Sequence, residues 1–439
     1  MMKTHRKTTA FCPECGSSHP ADVMVRDNHV IGVVHCPREE REHLISSNAR
    51  MYFALNKKSY LQPSDAPASG LKYMMNYISI TNACNFRCAV CAADSGGEKK
   101  TFLSVDEIIR RAQASREMGA KTLRLFGGEP TIHPDIHDII KRLTRMGFKV
   151  WMVSNGFLLG QNKKFAYSLK KCGLKGVCLQ FDSLKTATLD FLCRNYLDEK
   201  RKAIDHLIAA GLSLGFNCTT TKRNLSELGA LLKKEIFLGS NVKNLVFGSA
   251  APVGRFNISP DDSVDREQII SSFLNDPQQT YFTFEDVFPL PSYLPWGAQI
   301  HPDCGAHVVL VRMPGQIKPL NHYIDMLKLY HLMGKNASKA SFFNAKIVPV
   351  YYLLRSLRKN KWWSCLKIII GLLLFKKRYN LLNIAFTDYR GKRFLDEQRI
   401  NRCASAFHTS VGPVSACLHF YQGADTPGSL AYESAHGSC

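Results

Sequence analysis

Residues Cys84-Asn85-Phe86-Arg87-Cys88-Ala89-Val90-Cys91 set three thiols at the spacing Cys-x3-Cys-x2-Cys. Three thiolates on one short loop can bind three irons of a [4Fe-4S] cubane, which leaves the fourth iron with open positions. An amino acid head group can chelate that iron through its amino nitrogen and carboxylate, as the methionyl end of S-adenosylmethionine would. An electron passed through the iron into the sulfonium then breaks a carbon-sulfur bond and releases a 5′-deoxyadenosyl radical, chemistry carried mainly by the cofactor. The alternative, a zinc site with a distant fourth ligand, leaves the next motif unexplained.

That motif is Gly127-Gly128-Glu129-Pro130. Paired glycines let backbone polar groups approach a ligand closely, and a side chain at either would block the approach. Glu129 is placed to face the cofactor's ammonium. A second cysteine set stands near the N-terminus: Cys12 and Cys15 in Cys-Pro-Glu-Cys-Gly, then Cys36 in Cys-Pro after a strand-like stretch, reads as a metal knuckle. Its fourth ligand is open among His19, His35, His43 and a cysteine from elsewhere, and its ion is zinc or a single iron. Cys172, Cys178, Cys193 and Cys218 sit alone in patterned segments and are expected to pack as small hydrophobes.

The elements that must hold these loops follow from periodicity. After a Pro/Ser/Ala/Gly-rich linker over residues 63–70, apolar strand-like runs alternate with amphipathic helices, the pattern of βαβ units and a parallel sheet. Strands are expected at Tyr77–Thr81, Lys121–Phe126, Phe148–Val153, Gly176–Phe181, Leu212–Thr220 and Asn244–Phe247. The first helix carries Val105, Ile108, Ile109 and Ala112 on one face, with Ser104 and Glu107 as a capping box. The next repeats Ile136, Ile139, Ile140 and Leu143, and a later one Ile204, Leu207 and Ile208. Right-handed crossovers would give a partial (β/α)6 barrel, with ligands at the C-terminal ends of its strands. The expected domains are a cysteine-knuckle segment over 1–62, the barrel over 71–258, and a C-terminal region over 259–439.

The cysteine spacing, its place after the first strand and the Gly-Gly-Glu-Pro turn after the second together resemble the radical SAM superfamily. The resemblance implies a [4Fe-4S] cluster and S-adenosylmethionine as cofactors, and a reducing partner such as ferredoxin or flavodoxin. It also implies cofactor contacts at Ser154-Asn155-Gly156, at Asp182, at Arg194 facing the methionyl carboxylate, and at Asn217. Where relatives carry an aromatic before the last cluster cysteine, this chain has Val90. Further on, Cys304 in Asp-Cys-Gly-Ala, Cys403 and Cys417 are candidates for an auxiliary [4Fe-4S] cluster that Cys365 or Cys439 could join. The whole order is similar to the branch that contains archaeal tetraether lipid synthase, some of whose relatives carry a pterin-methyltransferase label. One departure is Arg38-Glu39-Glu40 after Cys36-Pro37, where that branch tends to have Glu-His-Gly.

The resemblance therefore implies hydrogen abstraction from an unactivated carbon of a lipid or long chain. Methyl transfer or peptide modification by the same radical is the alternative, and a noncatalytic iron-sulfur protein is a third reading. The chain has 439 residues and a formal net charge of +22, which suits an anionic partner. No basic-aromatic RNA-binding module is legible, which argues against nucleic acid. Met1–Ala10 lacks the apolar run of a secretory signal, so a cytoplasmic protein is expected, with contact at the inner membrane face as an added option. That option comes from Trp362–Phe375, an apolar run flanked by Arg355, Arg358, Lys359, Lys361, Lys376, Lys377 and Arg378. It is shorter than the ~20 residues needed to span a bilayer, and fits either a buried core helix or a helix lying in the interface.

Overall fold

The computed structural model describes residues 3–12, 15–59, 73, 75–233, 239, 241–277, 279–290, 300–335, 347–375, 378–389 and 394–422. The linker read at 63–70, Lys376, Lys377 and Cys439 lie outside them. The chain forms two compact units: 1–72, 225–249 and 264–403 make the first, and 73–224, 250–263 and 404–439 the second.

In the first unit, β1 (Lys3–Phe11), β2 (Ser18–Arg26), β3 (His29–His35) and β4 (Glu40–Ser46) form an antiparallel meander, followed by helix α1 (Ala49–Asn56). Alternation along β2 and β3 turns Ala21, Val23, Val30 and Val34 inward onto Tyr52 of α1 and Phe394. Gly32 is needed there, because a Cβ would lie 2.4 Å from the Phe394 ring.

The second unit is α/β with a parallel sheet, as the sequence implies. β5 (Met75–Thr81), helix α2 (Val105–Glu117), β6 (Thr122–Gly127), helix α3 (Ile136–Arg145), β7 (Lys149–Ser154), β8 (Gly176–Gln180), helix α4 (Leu197–Ala209) and β9 (Ser213–Thr220) follow in order. Neighbouring strands from β5 to β9 pair in parallel. α3 buries the four residues its periodicity predicts. α4 is rotated from expectation: Ile208 is exposed and Lys200 and Ala203 join Ile204 and Leu207 in the buried stripe. In α2, Arg111 and Ser115 are buried beside Ile108 and Ala112, while Val105 and Ile109 are only half-buried. Ser104 caps the Glu107 N–H as expected, but the Glu107 carboxylate binds Arg110 and Arg111 instead of closing the box. Those guanidiniums pull its pKa down to about 2.

The expected sixth strand is β10 (Val242–Ser249), which belongs to the first unit. There β11 (Gly305–Met313) pairs antiparallel with β12 (Asn380–Thr387), which runs parallel to β10. Helix α5 (Trp362–Leu374) precedes β12, and β13 (Leu395–Asp396) pairs with β1. The chain ends by returning to the second unit, where β14 (Ser405–Thr409) lies parallel beside β5 and turns into β15 (Gly412–Ser415). Phe407 of β14 stacks on Tyr77 with ring centroids 5.0 Å apart.

Candidate active site

The loops at the C-terminal ends of β5, β6, β7 and β8 carry Cys84 to Cys91, Gly127 to Pro130, Ser154 to Gly156, and Asp182. The first two are locked together by backbone. Gly128 N–H donates to Thr81 O at 2.7 Å and Glu129 N–H to Ala83 O at 2.8 Å, so the turn is bonded to the chain entering Cys84. A Cβ on Gly127 would lie 2.1 Å from Thr81 O, and one on Gly128 1.9 Å from Ala83 O. The glycines are thus required by the close approach of the cysteine loop's own backbone. Gly127 also has φ of +135°, a region that side chains resist.

Glu129 is almost fully buried. One oxygen accepts from Thr131 N–H (3.1 Å), Thr131 Oγ1 (2.5 Å) and Ser154 Oγ (2.8 Å), and the other from Asn155 N–H (2.7 Å). Burial raises its pKa despite these donors. The carboxylate therefore joins the loops after β6 and β7. Asn155 carries the connection back to the cysteines, its Nδ2 donating to Asn85 Oδ1 at 2.8 Å and standing 4.0 Å from Cys84 Sγ. Gly156 takes φ of +86° and Phe157 N–H donates to Asn155 Oδ1 at 2.9 Å, which fixes the asparagine.

Asp182 is fully buried and accepts from Thr219 N–H at 2.8 Å and from Arg194 Nη1 at 3.1 Å. Arg194, also buried, donates further to Thr219 Oγ1 at 3.0 Å and to the Val90 carbonyl at 2.6 Å. It therefore grips the residue before Cys91. Asn217 is half-exposed on β9, with its carbonyl accepting from Phe181 N–H at 2.9 Å.

Several residues here were missed by the sequence reading. Arg255, buried, donates to Cys88 O at 2.7 Å and Ser95 O at 2.8 Å and pairs with Asp94 at 2.9 Å. Its backbone also pairs antiparallel with Cys91, next to Gly254, where a Cβ would meet Cys91 O at 2.4 Å. Phe86, inside the cysteine loop, stacks on Tyr196 with centroids 4.1 Å apart and meets Phe157 edge-on. Lys200 lies behind Tyr196, its Nζ 4.6 Å from that ring and without a hydrogen-bond partner among the described residues. Desolvation lowers its pKa to about 8. The only advance signal for any of these was the aromatic at position 86, within the motif itself.

The donor set fits an iron-sulfur cluster. Burial pushes the Cys84 thiol up to about 12, so a bound iron is what would hold it as thiolate at neutral pH. Cys12, Cys15 and Cys36 form a different kind of site. Their sulfurs lie within 4.8 Å of one another, the only such trio among the described residues, and this is single-ion spacing. Backbone N–H groups of Arg38 and Glu39, with the neighbouring thiols, hold the Cys36 pKa below its ordinary value, which favours a ligand thiolate. His19 Nε2 stands 2.9 Å from Cys15 Sγ, whereas His35 is bound by Asp22 and Glu40 and His43 lies half-buried on β4.

Cys304 and Cys403 lie in the first unit and Cys417 in the second. Next to Cys304, Asp303 is buried and accepts from Tyr52 Oη at 2.9 Å and Asn56 Nδ2 at 3.2 Å, anchoring the Asp-Cys-Gly-Ala loop. Cys365 is buried with its thiol donating to Tyr323 O at 3.2 Å. Cys172 and Cys218 pack as expected and Cys178 is half-buried. Cys193 does not pack: it follows a short helix (Thr186–Phe191) in the left-handed region, φ +54°, and is exposed.

A family model described as the radical SAM superfamily matches residues 78–234. These residues are a radical SAM domain. Over 92% of its length the chain is 24% identical to 91% of 7,8-dihydro-6-hydroxymethylpterin dimethyltransferase of Methanocaldococcus jannaschii. It is 33% identical over 180 residues, 40% of the chain, to 56% of a probable GTP 3',8-cyclase of Sulfurisphaera tokodaii. Streptococcus suis SuiB bound to S-adenosylmethionine superposes with a TM-score of 0.40 at 18% identity, covering 51% of the chain and 49% of SuiB. Radical SAM enzymes use a [4Fe-4S] cluster and S-adenosylmethionine and need a reductant, so those cofactors and an electron donor apply to this chain. Neither of these two sequence relatives is named for a lipid, so the tetraether branch stays a reading from sequence.

Proposed function

We propose that this radical SAM enzyme abstracts hydrogen from an unactivated carbon of a lipid or long-chain substrate. The observation that carries the lipid part is α5, which turns Trp363, Leu373 and Leu374 to solvent beside exposed cations. When bound, the cluster and S-adenosylmethionine supply a 5′-deoxyadenosyl radical, with Cys84, Cys88 and Cys91 as the cluster ligands. Gly127, Gly128 and Pro130 shape the turn that holds the cysteine loop, and Glu129 fixes Ser154 and Asn155 around it. Asn155, followed in the chain by Gly156, then borders the space beside Cys84. Asp182 orients Arg194, whose charge faces the Val90 carbonyl and suits a nearby carboxylate. Asn217 offers a polar side chain within β9. Ferredoxin or flavodoxin would deliver the electron. Cys12, Cys15 and Cys36 would hold a zinc or single iron.

Methyl transfer is the second reading, favoured by the relative that aligns along nearly the whole chain and is named as a dimethyltransferase. The two separate in one assay. Anaerobically reduced enzyme is given S-adenosylmethionine labelled in its methyl group together with a lipid extract. The lipid reading predicts 5′-deoxyadenosine and an unlabelled, desaturated or carbon-coupled lipid. Label recovered as a methyl on a product, with the lipids unchanged, would replace it with the second reading.

A further inference from the structure

The run Trp362–Leu374 forms a 13-residue helix, about 20 Å long at 1.5 Å per residue, which is too short to cross a bilayer. Among the described residues no helix is long and apolar enough to do so. Its burial is the reverse of an ordinary surface helix. Cys365, Ile368 and Gly371, spaced three apart, face the protein, and Gly371 sits so close to the Tyr379 ring that a Cβ would lie 2.3 Å away. The side turned to solvent is the more apolar one: Trp363 is 78% exposed, Leu374 72%, Leu373 66% and Phe375 55%. A monomer in water leaves such a face uncovered at a cost in apolar hydration.

Charge identifies what covers it. Arg355, Arg358 and Lys361 are exposed just before the helix and Arg378 just after it, with no exposed carboxylate between Arg355 and Arg378 in the sequence. Lys367 rises from the middle of the outward face, where its aliphatic stem can lie along the apolar surface with the ammonium above. A shallow groove of about 490 Å³ is lined by Trp363, Ile370, Phe375 and Tyr379. Apolar side chains framed at both ends by cations match the headgroup and acyl layers of an anionic membrane, whereas a second copy of this chain would bring like charges together.

We infer that α5 docks the protein on anionic lipid bilayers, lying in the interface with Trp363, Ile370, Leu373, Leu374 and Phe375 below the phosphates. This docking concerns adhesion to a bilayer and stands whether or not the substrate is a lipid.

The full-length, cluster-loaded protein is mixed with vesicles of phosphatidylcholine alone or with added phosphatidylglycerol, and sedimented. Binding is expected with phosphatidylglycerol, weakening as salt is raised, with tryptophan emission shifted to the blue. The exposed-site variants Leu373→Glu with Leu374→Glu, and separately Arg358→Glu with Lys361→Glu, are each expected to weaken binding about 10-fold or more while keeping wild-type iron content. Absence of binding by the wild type, or binding by both variants as tight as that of the wild type, overturns the inference. So does a wild-type dimer that Leu373→Glu separates and that does not bind vesicles.

Discussion

Replacing Gly128 by alanine is expected to remove both the cluster and cofactor cleavage. The new Cβ would stand 1.9 Å from Ala83 O and 2.9 Å from Asn82 O, and both obstacles are backbone. No rotamer change relieves that overlap, so residues 81–83 must move, and Cys84 follows them. Two hydrogen bonds, from Gly128 and Glu129 to the same stretch, would break with the shift. Overpacking of this kind costs roughly 1–3 kcal/mol in global stability, yet the local effect is larger because cluster ligands tolerate little displacement. After anaerobic reconstitution, iron content should fall by most of one cubane and 5′-deoxyadenosine formation by about 100-fold or more, as expected when a 1 Å misplacement disrupts positioning. Gly97 provides the control: it lies in the same loop with open space around its Cα, so Gly97→Ala should behave as wild type. Equal iron and turnover in both variants would show that the Gly-Gly-Glu-Pro turn does not set the cysteine loop.

Arg255→Ala is the second large effect. One guanidinium satisfies the carbonyls of Cys88 and Ser95 and the carboxylate of Asp94, spanning the loop from its second cysteine to beyond its third. Hydrogen bonds from a charged donor are worth about 1.5–3 kcal/mol each, and removing the donor also leaves Cys88 O and Ser95 O without that partner. The loop should loosen, so reconstituted protein is expected to lose cluster absorbance in air several-fold faster than wild type. Arg255→Lys should restore only part of the protection, because an ammonium lacks the planar fork that reaches three acceptors. A cluster lifetime unchanged in Arg255→Ala would remove Arg255 from the machinery that positions the cysteines.

The contrast between these two residues shows where the sequence was readable. Gly128 was legible because it stands in a short motif whose spacing carries the chemistry, although the backbone it approaches is the cysteine loop itself. Arg255 was not, since it acts on peptide carbonyls from a segment far along the chain, and such contacts leave no pattern in residue type. The same holds for β14, a strand from the C-terminal end that completes the sheet beside β5. Ile208 was misplaced because a helix with apolar residues at adjacent positions admits two phases, and burial of Lys200 against Tyr196 selected the other one. α5 was ambiguous for a similar reason: its apolar residues surround the axis, so periodicity alone could not say which side met the protein. Glu129 was read from its motif as facing the cofactor's ammonium, whereas its carboxylate is taken up by four donors from two loops that only the fold brings together.

Cys84, Cys88 and Cys91, placed by the turn at Gly127 to Pro130, would hold the [4Fe-4S] cluster whose electron cleaves S-adenosylmethionine. The direct measurement is the yield of 5′-deoxyadenosine from anaerobic, chemically reduced wild-type protein whose cubane has been verified by Mössbauer spectroscopy. Release of 5′-deoxyadenosine together with methionine, abolished in Cys88→Ala, is the predicted result. An intact cubane on these three cysteines that leaves S-adenosylmethionine uncleaved would contradict the account.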